Sequence, residues 1–317
     1  MSLTINHETN DISNATGTVT FNGTAVGADN TPKWYGSRGV IGGGNIGGSP
    51  YRSNVLQYIT IATTGNAIDF GDLSTITGGP GAVSNGSRGV WAAGFTGAGG
   101  YHNKLEYITF ATTGNATEFG DMTNPASDYG SCSNGTRGLF GSNDSSWKIS
   151  YITISTLGNN VDFGDLSVNR ANFTSCSDAT RGLFAGGQNS NVIDYITIMT
   201  TGNATDFGDV SVARYSAMGA SDTTRGVFAG GSQGSYYNTI DYVTIQTTGN
   251  ATDFGDLTVA RGINDGGGSS NAIRAVFAGG YNKVNVIDYV TIATTGNATD
   301  FGDLLAGAQG VGAAAGT

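Results

Sequence analysis

The sequence predicts an all-β fold in which one four-stranded unit is repeated six times. Three short patterns, each typical of a strand, recur six times at intervals of 44 to 50 residues. No segment has a sustained 3.6-residue period, so helix is expected to be nearly absent. Six antiparallel units of this length predict a six-bladed β-propeller.

The three patterns mark strands 2, 3 and 4 of each unit, counted along the chain. They are rich in β-branched and aromatic residues, which favour a pleated, packed surface. The strand 2 pattern, R-[GA]-[VL]-[FWI], starts at Arg38, Arg88, Arg137, Arg181, Arg225 and Arg274. The strand 3 pattern, Y-[IV]-T-[IF], starts at Tyr58, Tyr107, Tyr151, Tyr195, Tyr242 and Tyr289. The strand 4 pattern, F-G-D, ends at Asp72, Asp121, Asp165, Asp209, Asp256 and Asp303.

Strands 3 and 4 are joined by a segment that is almost invariant. The nine residues TGNATDFGD occur letter for letter at 201–209, 248–256 and 295–303. Because Gly and Asn adopt positive φ at low cost, the Gly-Asn pair predicts a two-residue hairpin turn. We therefore expect this stretch to form the outer hairpin of each blade.

Strand 1 is predicted from its small residues, as in YSAMGAS (215–221). The motif S-[ND]-x-[ST]-R-G, which follows it, predicts a tight turn into strand 2. Innermost strands crowd around a propeller axis, where Gly, Ala, Ser and Cys fit. Cys132 and Cys176 occupy equivalent places in consecutive units, so we expect two free, buried thiols and no disulfide.

The chain ends predict how the ring closes. The tail at 304–317 resembles strand 1, whereas the first unit, at 35–44, begins near strand 2. The C-terminus is therefore expected to supply strand 1 of the first blade, which removes the free edge. Residues 1–33 read as a short N-terminal β-arm, with a hairpin around Asn22-Gly23, and residues 34–317 as the propeller.

Residues 34–317 resemble the kelch repeat. The resemblance rests on the order RGVFAGG, IDYVTI, TTGN, TDFGDL and a final AR, as in 225–261. The usual Trp of strand 4 is absent, and the Phe of F-G-D stands in its place. The sequence of residues 3–27 and the repeated motif Y-I-T-I…T-G-N-A…F-G-D are also similar to those of structural proteins of tailed-phage virions, particularly marine cyanophage-like tail fibres.

The phage resemblance implies a virion protein, made in the host cytoplasm without a signal peptide and assembled into an oligomer. Residues 1–33 would attach it to other virion proteins. The formal charge of −10, with 14 Lys and Arg and no basic run, argues against a nucleic-acid partner. No apolar run is long enough for membrane insertion, and the first residues lack a secretory pattern.

The loops between strands 2 and 3 and between strands 4 and 1 are predicted to share one face. They vary in length and composition, and variable loops on a rigid scaffold commonly bind ligands. The candidate residues for binding a host glycan or protein receptor are Tyr51, Tyr101, His102, Trp147, Tyr236, Tyr237 and Tyr281. The alternative is that these side chains only pack their own loops.

The repeated acids and arginines predict a structural network. We expect Asp72 and its five equivalents to cap turns or to pair with Arg38 and its five equivalents. A calcium-binding ring of these carboxylates is the alternative. No catalytic residue, metal or cofactor is predicted, because His, Glu and non-repeated Asp pairs are scarce. A capsid or tail decoration protein and a glycan-cleaving propeller remain alternative functions.

Overall fold

The computed structural model describes residues 4–6, 11–13, 19–21, 24–26, 33–47, 51–97, 100–142, 147–262 and 267–317. Contacts divide the chain into two units, residues 1–32 and 33–317. In the first, β1 (Thr4–Asn6) pairs antiparallel with β2 (Asp11–Ser13), and β3 (Val19–Phe21) with β4 (Thr24–Val26). The strand pair expected around Asn22-Gly23 is present, and these two residues lie outside the described part.

The second unit is a six-bladed β-propeller, which confirms the predicted fold. Blade 1 contains β5 (Arg38–Gly42), β6 (Ser53–Thr60) and β7 (Ile68–Thr77). Blade 2 contains β8 (Gly81–Ser84), β9 (Arg88–Phe95), β10 (Tyr101–Thr109) and β11 (Thr117–Asp121). Blade 3 contains β12 (Gly130–Ser133), β13 (Arg137–Gly141), β14 (Lys148–Thr153) and β15 (Val161–Asp165).

Blades 4 to 6 repeat the same four-stranded order. Blade 4 contains β16 (Thr174–Ser177), β17 (Arg181–Ala185), β18 (Val192–Thr197) and β19 (Thr205–Asp209). Blade 5 contains β20 (Met218–Ser221), β21 (Arg225–Ala229), β22 (Thr239–Thr244) and β23 (Thr252–Asp256). Blade 6 contains β24 (Gly268–Ser270), β25 (Arg274–Ala278), β26 (Val286–Thr291) and β27 (Thr299–Asp303). Among the described residues, helix is limited to a 3-10 turn at Tyr281–Lys283, and no helix is long and apolar enough to cross a membrane.

The last strand of the chain closes the ring. Strand β28 (Gly312–Gly316) pairs antiparallel with β5, so blade 1 takes its innermost strand from the C-terminus, as predicted. The innermost strands then contact one another in a complete circle, in the order β28, β8, β12, β16, β20, β24. This pairing covers the edge of β5 that would otherwise be free.

Serine hydroxyls tie the innermost strands together. One serine near the end of each of these strands in blades 2 to 6 donates to a backbone carbonyl of the preceding blade, for example Ser177 Oγ to Ser133 O at 2.7 Å and Ser221 Oγ to Ser177 O at 2.6 Å. Both cysteines are free and buried, as predicted, and burial raises the pKa of the Cys132 thiol to about 12. Small side chains at this radius therefore both fill the axis and join the blades.

The predicted two-residue hairpin turn between strands 3 and 4 is wrong. In blade 5, β22 ends at Thr244 and β23 begins at Thr252, and the tight turn is closed by a bond from Thr247 N to Thr244 O. The Gly-Asn pair lies farther along and contacts blade 4. Gly249 N donates to Phe207 O and Ala251 N to Asp209 O, both at 2.8 Å.

The same contact recurs around the ring, including from Gly65 N in blade 1 to Phe301 O in blade 6. The repeated TGNA segment therefore joins each blade to the outermost strand of the preceding one. It is an inter-blade connection, so its sequence is constrained by two blades at once.

Candidate binding face

The strand 2–3 and strand 4–1 loops form one face of the propeller, which we call the loop face. Their backbones are hydrogen bonded across blades: Gly187 N donates to Arg214 O at 2.9 Å, and Gly231 N to Arg261 O at 2.8 Å. These loops differ in length from blade to blade: six residues (186–191) separate β17 from β18, whereas nine (230–238) separate β21 from β22. Loops of different length are thus held on a nearly uniform scaffold.

The opposite face, which we call the turn face, carries the strand 1–2 and 3–4 connections. Its strand 1–2 turns are closed by an Asn or Asp side chain that accepts from backbone groups two and three residues ahead. Asp222 Oδ1, for example, accepts from Thr224 N at 2.7 Å and Arg225 N at 2.6 Å. The repeated polar groups of this face are engaged within the fold.

The seven candidate residues are distributed over several loops and differ in exposure. Tyr51 and Tyr101 are 66% and 53% exposed, and Trp147, Tyr236 and Tyr281 are also exposed. His102 and Tyr237 are half-buried. The structure brings the rings of Tyr236 and Tyr281 together. Tyr51 belongs to blade 1, Tyr101 and His102 to blade 2, Trp147 to blade 3 and Tyr237 to blade 5.

Tyr236 and Tyr281 form a stacked pair that spans blades 5 and 6. Their ring centroids are 4.9 Å apart and the ring planes differ by 28°. Partial desolvation, together with the neighbouring Tyr281, raises the pKa of Tyr236 to about 12. An exposed stacked pair offers a flat apolar surface with hydroxyls at its edge.

A second aromatic cluster spans blades 1 and 2. The Arg52 guanidinium lies 4.4 Å from the centroid of the Phe95 ring, and Phe95 lies 5.4 Å from Tyr101. Of these three residues, only Tyr101 was predicted from the sequence. Arg52 lies in the variable segment SPYRSN and does not occupy one of the repeated arginine positions. That unusual position could have marked it as a candidate from the sequence.

Unpartnered polar atoms also lie near the junction of blades 1 and 2. Asn45 Oδ1, Arg52 Nε and both ring nitrogens of His102 are buried without a hydrogen-bond partner. Burial lowers the pKa of His102, against an opposing effect of Glu106, and so favours the neutral imidazole. Buried polar groups are normally paired, so each of these atoms has spare bonding capacity.

The repeated arginines have partners other than the repeated aspartates. Arg225 stacks on Tyr242 of its own blade, with 4.8 Å between the guanidinium carbon and the ring centroid, and donates to Ile292 O of the next blade at 3.2 Å. Arg38, Arg88, Arg137, Arg181 and Arg274 each stack on the equivalent tyrosine and donate to the next blade in the same way.

The repeated aspartates use their backbone to join blades. Asp209 N donates to Asn250 Oδ1 at 3.1 Å, and Asp72, Asp121, Asp165, Asp256 and Asp303 make the equivalent bond. Within the described ranges, no three His, Cys, Asp or Glu side chains are grouped to hold a metal ion. A role of these carboxylates in calcium binding receives no support from this geometry.

Three buried ion pairs were not identified from the sequence. They are Arg170–Asp194 at 2.9 Å, Arg214–Asp241 at 2.9 Å and Arg261–Asp288 at 2.7 Å. Each joins the end of one blade to strand 3 of the next. At these three junctions the sequence has both an Arg at the end of one repeat and an Asp before the strand 3 Tyr of the next. This joint occurrence could have predicted the ion pairs.

The cavity on the propeller axis does not resemble a ligand site. It has a volume of about 60 Å³ and is lined mainly by Ser, Ala, Gly and Cys of the innermost strands. Pockets for small molecules typically measure about 300–1,000 Å³. The loop face, and not the axis, therefore holds the candidate binding residues. No protein family matches the sequence, and a comparison with curated proteins finds no significant relative.

Proposed function

We propose that the protein is a non-catalytic binding protein of a phage virion, of the tail-fibre type. Its loop face contacts a host surface glycan or protein. The observation that carries the proposal is the contrast between the two faces. The turn face repeats the same internally bonded turns, whereas the loop face presents different loops with exposed aromatic side chains.

The chemistry of the loop face supports a polar, ring-containing ligand. Exposed tyrosines present apolar ring faces and hydroxyl groups, a combination that suits sugars and polar protein surfaces. The stacked Tyr236–Tyr281 pair is held by two blades, so a ligand there would lose little affinity to ordering of the side chains.

Assembly into the virion is the second part of the proposal. Residues 1–33 would attach the protein to other virion subunits, and the kelch-like propeller would provide the loop face for the host surface. This assignment is supported by the resemblance of the N-terminal segment and of the repeated sequence motif to tailed-phage structural proteins.

A decoration or joint protein is the second candidate. Val168, Val212 and Val259 occupy equivalent positions in the strand 4–1 loops and are 40%, 40% and 46% exposed. Three equivalent apolar side chains on consecutive blades suit docking on another virion subunit. In that case the loop face would be covered in the assembled particle.

Binding to an array of bacterial surface polysaccharides tests the first proposal. The variant Tyr236→Ala/Tyr281→Ala is compared with Thr201→Ala/Thr248→Ala, which changes exposed side chains of the turn face. We expect the tyrosine variant to lose about 30-fold or more in affinity, as for an interface hot spot, and the threonine variant to bind normally. Equal binding by both variants would contradict the loop-face assignment at this pair.

A further inference from the structure

We infer that Arg52, Phe95 and Tyr101 form a subsite for a carboxylate-bearing sugar residue, such as a hexuronate. This inference rests on the proposed function, because it names the ligand class for one part of the loop face. The subsite lies at the junction of blades 1 and 2, apart from the Tyr236–Tyr281 pair of blades 5 and 6.

The Arg52 guanidinium is held by stacking on an aromatic ring. It lies 4.4 Å from the Phe95 ring centroid, and Nε is buried without a partner. No described residue forms a hydrogen bond or an ion pair with this side chain. Arginines that are held by stacking retain their planar fork for an incoming anion, and carboxylates match that fork with two parallel hydrogen bonds.

Two glycines make room for the Arg52 side chain. A Cβ on Gly97 would lie 2.8 Å from Nη1, and a Cβ on Gly78 would lie 3.4 Å from Nε. The Asn45 amide oxygen lies 2.6 Å from that same position at Gly78, so an unpartnered acceptor lies beside the unpartnered donor.

Tyr101 supplies the apolar surface of the subsite. It is 53% exposed and lies against Phe95, on the side of β10 that faces blade 1. Stacking on Tyr101 together with a carboxylate on Arg52 would orient a single sugar ring.

The nearby carboxyl group of Asp128 does not occupy the fork. Its Oδ2 accepts from Ser127 Oγ at 2.9 Å, and burial raises its pKa to about 6, although Arg52 acts in the opposite direction. Among the described residues, no ion pair joins Asp128 to Arg52. The guanidinium therefore remains open to an external carboxylate.

Titration calorimetry with two forms of one ligand tests the subsite. The probes are oligogalacturonate and the same oligomer with its carboxylates methyl-esterified. The wild-type protein is expected to bind the acid form at least about tenfold more tightly than the ester. Arg52→Gln should weaken binding of the acid by about 10- to 100-fold and leave binding of the ester unchanged.

Two further variants complete the test. Lys104→Gln, on the same hairpin, removes one positive charge without altering the stacked arginine and should change acid binding less than about twofold. Arg52→Lys keeps the positive charge but lacks the planar pair of N–H donors of a guanidinium. This variant should lose most of the preference for the acid form of the oligomer. Thermal unfolding of each variant establishes that it is folded.

Three outcomes would overturn the inference: equal binding of acid and ester, equal losses for Arg52→Gln and Lys104→Gln, or no binding of either oligomer. In each case, binding of other polysaccharides that depends on Tyr236 and Tyr281 would leave the proposed function standing. Absence of all polysaccharide binding would count against both.

Discussion

The glycine of each F-G-D triplet lies where the next blade approaches most closely. At Gly255, φ is +145°, and an added Cβ would lie 2.5 Å from the carbonyl oxygen of Gly296. The same arrangement recurs at the equivalent glycines, which explains why the middle letter of F-G-D does not vary among the six units. Close backbone contact between blades requires the absence of a side chain at this position.

Gly255→Ala should therefore destabilise the propeller more than Gly249→Ala. Both glycines have φ near +150°, but a Cβ on Gly249 would meet no atom within 4 Å. We expect the steric contact to make Gly255→Ala more costly by about 1–3 kcal/mol in free energy of unfolding. Urea unfolding of the two variants measures the difference, and equal stabilities would show that the close approach is relieved without cost.

The buried Arg214–Asp241 pair should behave as a coupled unit. Removal of one partner leaves an uncompensated buried charge, so Arg214→Ala and Asp241→Gln should each cost about 3–5 kcal/mol. The double variant resembles the natural junction of blades 6 and 1, where Ala308 and Gln57 occupy these positions and Gln57 Oε1 accepts from Leu305 N at 2.8 Å.

The free energy of unfolding of the double variant should therefore fall by about 1–3 kcal/mol less than the sum of the two single losses. A double-mutant cycle in urea gives this coupling energy. Strict additivity would mean that the two side chains act independently and that the ion pair does not join blades 4 and 5.

Asp128 should make stability fall as pH rises from about 4 to 6. Burial raises its pKa from 3.8 to about 6, so between these values the folded state holds a proton that the unfolded state has lost. Asp128→Asn removes this effect and tolerates the positive φ of 58° at this residue.

The variant should gain stability relative to wild type above pH 6, by up to about 3 kcal/mol, and gain little at pH 4. Thermal unfolding of both proteins across this pH range is the measurement. A stability difference that does not depend on pH would contradict the raised pKa.

At the level of elements, the outer and inner strands of the blades are joined by different means. The inner strands contact directly and through serine hydroxyls, whereas the outer strands are joined by the TGNA segments. Strand β28 is the one inner strand that comes from the far end of the chain. The stability of blade 1 therefore depends on the C-terminus.

Deletion of residues 311–317 should open the ring and expose the inner edge of β5. We expect a lower unfolding midpoint and a tendency to associate through the free edge. A synthetic peptide that covers 305–317, added in trans, should restore the midpoint, whereas the same residues in scrambled order should not. Unchanged stability of the truncated chain would contradict closure by β28.

Most elements could be predicted because each strand carries its own local pattern. The R-G-V-F, Y-V-T-I and F-G-D strands, the Asx turns before Arg225 and its equivalents, and closure by residues 312–316 all follow from repeat spacing. The role of the Gly-Asn pair could not be predicted. Gly249 and Asn250 form hydrogen bonds with the preceding blade, and the sequence of one unit does not indicate which residues of the neighbouring blade will lie beside it.

The candidate site was less predictable for the same physical reason. Tyr101 and Tyr281 could be selected because aromatic residues in variable loops are noticeable. Arg52 lies far from Phe95 in sequence and stacks on it only because blades 1 and 2 are adjacent. Likewise, Asp241 resembles an exposed strand residue until Arg214 of the neighbouring blade is placed beside it.

In the molecule as a whole, the closed ring combines a repeated framework with a variable surface. The turn face and the inter-blade contacts use mainly repeated residues, and the loop face adds to them, beside Arg214 and Arg261, exposed side chains that differ between blades. We propose that these variable side chains of the loop face form the binding surface.

A cryo-EM map of the protein in its native assembly tests this claim most directly. We predict that residues 1–33 are buried in neighbouring chains and that Tyr101, Tyr236 and Tyr281 face solvent. A map in which those tyrosines are packed against other subunits would contradict the account and identify the protein as a structural joint or decoration of the particle.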